Sequence, residues 1–511
     1  MRYSKVISCG IFGIKGTRVE IEVSLLPGIS SFEITGLGDS AIRESKNRIH
    51  ASIRNSGYDF PKGRIIVGLA PAFMRKHGTS YDLPIAVGIL AASKQIPQIS
   101  DEFCITGEMS LNGEVRMIPG VVSRILTASS EGSEKMIIPY GNSEETGFTR
   151  NMKVYCVKTL TECVSVIRSN DERSCFEQIG SDNYDDKSVY RDISTIIGQR
   201  SAVEAMQIAA AGWHNIMMTG SPGCGKTSMA EILPGILPEL DHEERVEVAM
   251  IYSSAGITSR RNLFSRERPF RAPHHSITTG AMTGGGTIPG PGEMTLAHKG
   301  VLFLDEINEF RAEVLENLRQ PLEDHQIRLS RQRYQVDLPA DFMLVAASNP
   351  CKCGNLLERD TSSPCRCTQY NIEKYMSVIS GALADRIDIY IDMCRIPSGS
   401  LSESMMIHER RDSPEIRKKI GSAWEMQFSR CIKRGIKPFF NSRLPSEMIG
   451  DVFGVDRELS EYAKTAVEKL ELSVRTYQKM IRIARTIADY EGEYKISRSH
   501  FARALQYRRK R

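Results

Sequence analysis

No apolar run in this 511-residue sequence approaches the roughly 18 residues that a bilayer-crossing helix requires, so a membrane span is not expected. The opening stretch, MRYSKVISCGIFGIKG, lacks a sustained apolar core and a small-residue cleavage site. No signal peptide is therefore expected, and the cytoplasm is the expected location. Internal repeats and long low-complexity tracts are also missing. Nor does charge of one sign dominate: 67 Lys and Arg stand against 62 Asp and Glu, a formal +5 that is too small to announce a partner. Where the basic residues cluster therefore matters more than their sum. Hydrophobic content of 41% and charged content of 25% are ordinary for a globular protein, and the length leaves room for several domains with their own cores. The 12 cysteines are mostly scattered, which suits free thiols in a reducing compartment; four are not scattered and are taken up below.

What the sequence does contain is a phosphate loop. Gly220-Ser221-Pro222-Gly223-Cys224-Gly225-Lys226-Thr227 fits G-x-x-x-x-G-K-[ST] between an apolar run, 215–219, and a helix-compatible run that Ser228 opens. Residues Gly220 to Ser228 thus form the candidate nucleotide cradle. The glycines let successive backbone N–H groups wrap phosphates at the positive end of a helix. Lys226 would reach the β- and γ-phosphates, and the Thr227 hydroxyl would bind Mg²⁺. Cys224 reads as a tolerated small residue.

A second motif supports the first. Val301-Leu302-Phe303-Leu304 reads as a buried parallel strand ending in Asp305-Glu306, where an open α/β sheet places its ligands. Asp305 would hold the Mg²⁺ shell and Glu306 would polarise the attacking water, which points to ATP hydrolysis rather than binding alone. The run 342–347 is another buried strand, ending in Ser348-Asn349. Asn349 either contacts the attacking water and γ-phosphate or caps a turn before Pro350. Arg386 sits at a helix-to-strand junction in SGALADRID; it forms a surface ion pair or acts on a neighbouring subunit's γ-phosphate.

Together with RAPHHSIT at 271–278, PGEMTLAHKGVLFLDEINEF at 291–310 and LSVRTYQKMIRIARTIADYEG in the tail, these residues resemble the magnesium-chelatase-like AAA+ ATPases of the ComM/YifB family. The resemblance spans essentially the whole chain. It implies Asn349 as sensor 1, Arg386 as arginine finger, Arg475 as sensor 2, and a homo-hexameric ring with ATP sites between subunits. The implied fold class is α/β: a Lon-protease-like α+β domain over 1–167, a linker over 168–192, a P-loop core over 193–398 and a C-terminal helical lid over 399–511.

Two basic segments suggest a polyanion path. The long span between Lys226 and Asp305 carries Arg260, Arg261, Arg266, Arg268, Arg271, His274 and His275 before Gly284–Gly286, and reads as an insertion with a basic tip. The segment 326–336, QIRLSRQRYQV, reads as a hairpin with Arg331 and Arg333 near its tip. By resemblance these are pore loops of a ring motor. Basic loops with few aromatics suit phosphate tracking, with Arg331, Arg333, Arg266 and Arg268 as DNA contacts; the alternative is solvated charge.

Cys351-x-Cys353-Gly354 and Cys365-x-Cys367 form two close pairs. Tetrahedral structural zinc and four free thiols are both compatible with that spacing, although C-x-C is tighter than the usual C-x₂-C. In the N-terminal domain Ser80 falls at the position of the Lon nucleophile, but Val122 stands where the lysine that activates it is required. The domain is expected to keep the fold without the peptidase. The family resemblance, with the basic loops, implies a cytoplasmic hexameric DNA motor with helicase or branch-migration activity in homologous recombination during natural transformation. The rivals are a metal-chelatase-type or other protein-remodelling ATPase.

Overall fold

The computed structural model describes residues 2–36, 39–73, 76–148, 152–169, 190–286, 289–331, 334–358, 364–395 and 412–509. Its N-terminal part is built on a seven-stranded mixed sheet in the order Ser31–Thr35, Arg64–Ala70, Lys15–Leu26, Tyr3–Phe12, Phe103–Ile105, Lys135–Pro139 and Lys153–Val157. Tyr3–Phe12 and Lys15–Leu26 form a long antiparallel hairpin with inward residues such as Val19, Ile21 and Val23 fully buried. The helix Asp82–Ala92 is buried along its whole length, as its nearly unbroken apolar sequence requires. The helix Leu160–Ser169 ends this part, and the greater part of the expected linker lies outside the described residues.

The second part is a five-stranded sheet in the order Phe270–Arg271, Val301–Leu304, Met343–Ser348, Ile216–Gly220 and Ile389–Met393, parallel at every pairing. Its central strands carry apolar residues on both faces because helices cover both. The C-terminal part is helical: Ser413–Ile432, Arg457–Leu470, Val474–Tyr490 and Arg498–Gln506. Ser473 caps the third of these through the Thr476 N–H, and its apolar face, including Ile483 and Ile487, joins the core of the parallel sheet. A buried chain of hydrogen bonds fastens the two: His214 contacts Asp388 at 3.2 Å through Nδ1 and Thr486 at 2.9 Å through Nε2.

The N-terminal part docks on the part built around the five-stranded sheet. Ser253 of the helix His242–Ser254 accepts from Gly120 N–H at 2.9 Å, and the Val122 N–H reaches Ser253 Oγ and Glu145 Oε2, each at 3.2 Å. Phe148 stacks on Phe264 with ring centroids 5.1 Å apart. Val122 is fully buried and packs with Ala249, Leu263 and Phe264. The position where a peptidase would keep its lysine is thus part of a domain interface. Ser80 is buried, and its hydroxyl has no hydrogen-bond partner among the described residues. Lys76, four residues before it, is also buried, but its ammonium donates to the Pro71 carbonyl. Among the described residues no helix is long and apolar enough to cross a membrane.

Candidate active site

The phosphate loop leaves the C-terminal end of Ile216–Gly220 and turns into the helix Lys226–Glu231. Gly223 and Gly225 take left-handed φ of +77° and +93°, which a side chain would strain. Lys226 is buried against its own loop: its ammonium donates to the Gly220 carbonyl at 2.7 Å, the Ser221 carbonyl at 3.1 Å and Asn349 Oδ1 at 3.1 Å. The sensor-strand asparagine and the loop lysine therefore meet, as the strand order demands, because Ile216–Gly220 pairs directly with Met343–Ser348.

Across the loop, the Thr227 hydroxyl donates to Asp305 Oδ2 at 2.8 Å. These are the two oxygens expected to share Mg²⁺, and their convergence fits that ion. Ser221 Oγ is buried without a hydrogen-bond partner among the described residues, which fits a loop shaped for an anion. Arg191 donates to Ser228 Oγ at 2.7 Å on the outer side of the helix. Cys224 is buried, and its sulfur lies 2.7 Å from where a Cβ on Gly220 would stand, so it packs the loop.

Glu306 adopts φ +50°, a left-handed conformation that non-glycine residues visit at a cost, and its side chain stays half-exposed. His275 Nδ1 lies 4.0 Å from its carboxylate. Thr227, His274, His275, Asp305 and Glu306 line one cavity of about 340 Å³. The two histidines correct the expectation of a single basic insertion. Phe270–Arg271 is the edge strand of the main sheet, so the chain after it returns to the nucleotide edge and brings the histidines to Glu306. The insertion tip is instead the small glycine hairpin Gly284–Gly285 with Gly290–Pro291. The signal available in the sequence was a two-residue strand, too short for periodicity to reveal.

Arg268 is a second correction. It is 3% exposed, pairs with Glu244 at 2.8 Å, donates to the Lys299 carbonyl at 2.9 Å and lies over Trp424 at 5.0 Å. A guanidinium enclosed in this way cannot track DNA. Arg271 is likewise engaged, forming two hydrogen bonds to Glu293 at 2.6 and 2.7 Å. Arg266 is exposed. The expected hairpin is present as Gln326–Arg331 paired with Tyr334–Pro339. Arg333 and the Arg331 side chain lie outside the described residues.

Arg386 and Arg475 meet at the other edge of the sheet. Arg386 precedes Ile389–Met393, whose first residue is in register with Ile216, the first residue of the phosphate-loop strand. A five-residue strand, about 17 Å, therefore separates Arg386 from its own phosphate loop. Arg386 pairs with Glu323, and its buried Nε has no partner among the described residues. Arg475 pairs with Asp385 at 2.9 Å and lies 3.9 Å from Glu323. Both line a cavity of about 340 Å³ with Arg443, Lys479 and Arg482. Neither arginine adjoins its own chain's nucleotide loop.

The four clustered cysteines converge beside the phosphate loop. Cys351 Sγ is 3.3 Å from Cys353 Sγ and 3.7 Å from Cys365 Sγ, Cys353 Sγ is 3.6 Å from Cys365 Sγ, and all four sulfurs lie within 4.8 Å of one another. A tetrahedron with metal–sulfur bonds of about 2.3 Å has edges of about 3.8 Å, so the set fits a Cys₄ metal centre. Disulfide-bonded sulfurs would stand about 2.05 Å apart. The Asn355 N–H, followed by the neighbouring Cys351 thiol, holds the Cys353 thiol down at about 6.

Comparison with known proteins agrees with this arrangement. Residues 192–401 match the family model "Magnesium chelatase, subunit ChlI", 21–142 match "Subunit ChlI of Mg-chelatase" and 410–508 match "Magnesium chelatase, subunit ChlI C-terminal". The chain is 37% identical to Competence protein ComM of Haemophilus influenzae over 513 residues, covering 99% of this chain and 98% of that protein. It is 35% identical to the uncharacterized protein YifB of Escherichia coli over 509 residues, 99% of this chain and 97% of that one. The N-terminal region is similar to Lon proteases: 31% identity over 176 residues with Lon protease 2 of Bacillus subtilis, covering 30% of this chain and 31% of that protein.

Proposed function

Since the chain belongs to the magnesium-chelatase-like ComM/YifB family of AAA+ ATPases, we propose that it is a hexameric ATP-driven DNA motor. Its work in this reading is helicase or branch migration on recombination intermediates during natural transformation, in the cytoplasm. The observation that carries the ATPase is the Thr227–Asp305 hydrogen bond of 2.8 Å beside Glu306, with Lys226 bound to Asn349 across the loop. When bound, Mg²⁺ supplies charge neutralisation between the phosphate oxygens. Lys226 leaves its loop carbonyls to bind phosphate, Asn349 is released to orient water, and Glu306 takes the proton of that water. Arg386 and Arg475 serve the site of an adjacent subunit, because they sit at the sheet edge opposite their own phosphate loop.

The DNA reading rests on Arg331 and Arg333, which the sequence places near the tip of the expected hairpin, with Arg266 assisting, and on the name of the competence relative. The four cysteines hold one structural zinc. The functional division of the chain is the Lon-like domain to 167, the linker to 192, the ATPase core to 398 and the lid thereafter, with the Lon-like domain inactive as a peptidase.

ATP turnover measured with single-stranded, duplex and branched DNA tests the motor. Stimulation by DNA is expected. Replacing Arg331 and Arg333 with Ala should remove stimulation, leave basal turnover intact and lower the salt dependence of DNA binding. A wild-type hexamer that binds no DNA in the presence of ATP would instead favour a protein-remodelling ATPase of the chelatase type.

A further inference from the structure

The cysteine cluster touches the phosphate loop directly. Gly354, which follows Cys353, has φ +82°, and a Cβ placed there would lie 2.5 Å from Pro222 Cδ and 2.8 Å from its Cγ. The cysteine turn and the phosphate loop are thus packed so closely that only glycine fits between them. The Gly354 N–H donates to the Cys351 carbonyl at 3.0 Å, which closes the turn. On its other side Pro222 is held as well: its carbonyl accepts from Arg395 at 3.2 Å.

Two further connections leave the cluster. Cys351 is fully buried and follows Asn349-Pro350, so the first cysteine pair fixes the end of the sensor strand whose asparagine meets Lys226. Cys367 precedes Thr368, which caps the helix Gln369–Met376 through the Asn371 N–H. That helix returns to the catalytic side: the Tyr375 carbonyl accepts from Asn308 at 2.7 Å, and Asn308 also bonds Ser348. The four thiols therefore sit where the phosphate loop, the sensor strand and the segment after Glu306 come together. The polar chain between the two cysteine pairs has little apolar content to hold it closed, and a metal crosslink supplies what a core would supply elsewhere.

We propose that Zn²⁺ held by Cys351, Cys353, Cys365 and Cys367 is a clamp on the nucleotide site: it presses Gly354 against Pro222 and fixes Asn349, and so sets ATP affinity. This rests on the reading of the cluster as a zinc site and adds a role that a remote structural zinc would not have. Loss of the metal frees the turn, and the phosphate loop then loses its support on the Pro222 side. Its backbone N–H groups must be ordered anew each time a nucleotide binds, which weakens binding without removing any group that touches phosphate.

The test uses the full-length protein. Zinc per chain is measured by elemental analysis, and the Kd for a fluorescent ATP analogue with Mg²⁺ is measured before stripping with a chelator, after it, and after zinc is returned. The expected result is about one zinc per chain, an affinity at least tenfold weaker after stripping, and recovery on re-addition. Gly354→Ala provides a second, metal-retaining route: zinc stays near one per chain, yet affinity falls because the added Cβ pushes Pro222 away. Stripped protein that binds nucleotide as well as the zinc-loaded form would overturn the clamp while leaving the zinc site standing. Protein purified without chelator that carries no zinc, with four titratable thiols in the folded chain, would overturn the zinc reading itself. Stripped protein that stays weak after zinc returns has been damaged rather than released, and Gly354→Ala then decides: unchanged affinity in that variant overturns the clamp.

Discussion

The two ends of the strands of the five-stranded sheet carry opposite charge, and in the proposed function they are opposite halves of one chemistry. At the C-terminal edge, Thr227, Asp305 and Glu306 face a cavity with three carboxylates, Glu231 being the third, while the single cation of the loop, Lys226, is turned onto its own carbonyls and Asn349. At the N-terminal edge, Arg386, Arg443, Arg475, Lys479 and Arg482 line a cavity of similar size, where Glu323, Asp385 and Asp388 partly offset them. A phosphoryl-transfer site needs both sets, because charge spreads onto the γ-phosphate oxygens in the transition state. One chain holds the two sets about a strand length apart. On the proposed reading, this difference between the edges would leave a single copy an incomplete enzyme and would make assembly part of the catalysis.

The sharpest division lies within the C-terminal edge itself. Lys226→Ala should abolish measurable ATP binding, whereas Glu306→Gln should bind ATP normally and lose turnover by about 10³-fold or more. In the proposed mechanism Lys226 serves ground-state phosphate, and Glu306 acts only as water attacks. Equilibrium binding and steady-state turnover on the two variants separate these roles. Near-normal hydrolysis by Glu306→Gln would move the base elsewhere in the cavity, with His275 the next group at hand, its Nδ1 being 4.0 Å from Glu306.

The comparison between edges breaks or holds on Arg386→Ala and Arg475→Ala. Each variant should still assemble and bind ATP. Turnover should fall by about 10³-fold for Arg386→Ala and by less for Arg475→Ala, which is more exposed and has two acidic neighbours. In rings mixed with wild-type chains, activity should drop more steeply than the fraction of variant, because each altered arginine disables a neighbour. A strictly proportional fall would mean that the arginines act within their own chain, and the two-edge account would fail.

Arg268 sharpens the account from the other side, since it is an arginine in the basic segment that belongs to neither edge. Arg268→Ala should leave DNA binding unchanged and destabilise the protein by about 3 kcal/mol. Its removal strands Glu244 and opens a gap over Trp213 and Trp424. Denaturant midpoints measured beside DNA titrations check both halves of that statement.

That arginine also marks where the sequence stops being legible. The phosphate loop, the Asp305-Glu306 strand end and the Asn349 strand end could all be read, because buried parallel strands write themselves as apolar runs and their tips carry the polar exceptions. The hairpin could be read over 326–336 from its alternation, and the structure extends it to Pro339. Arg268 could not, because nothing in RERPF distinguishes an arginine enclosed by two tryptophans, one of them more than 150 residues away, from a solvated one. The placement of Arg475 beside Asp385 depends in the same way on how the lid folds back, and no local pattern encodes that. His275 is legible as part of the basic segment but not as a neighbour of Glu306, because the strand that delivers it, Phe270–Arg271, gains its identity only from pairing with Val301–Leu304. The cysteines showed their number and spacing in sequence, but their contact with Pro222 is tertiary.

The smallest expected effect concerns His325, which lines the arginine-rich cavity at the turn between the helix Arg319–Asp324 and the strand Gln326–Arg331. Burial, with the nearby Arg443 guanidinium adding to it, pushes its imidazole down to about 4, against about 6.5 for an unfolded histidine. Asp341 and Asp324 pull the other way, and Lys299 reinforces the depression. Because the folded value is the lower one, the unfolded chain binds more protons between these two values. The contribution is fully present above pH 6.5 and is lost as pH falls toward 4. The side chain is only part-buried, so solvent screening reduces the loss to about 1 to 2 kcal/mol. His325 has φ +55°, which Asn adopts more readily than most residues, so His325→Asn should keep the turn while removing the titration. Denaturation of wild type and His325→Asn at pH 7.5 and pH 4.5 should therefore show the wild type losing the greater stability on acidification. Equal losses in the two proteins would mean that His325 titrates normally and that the cavity around the arginines is wetter than its lining suggests.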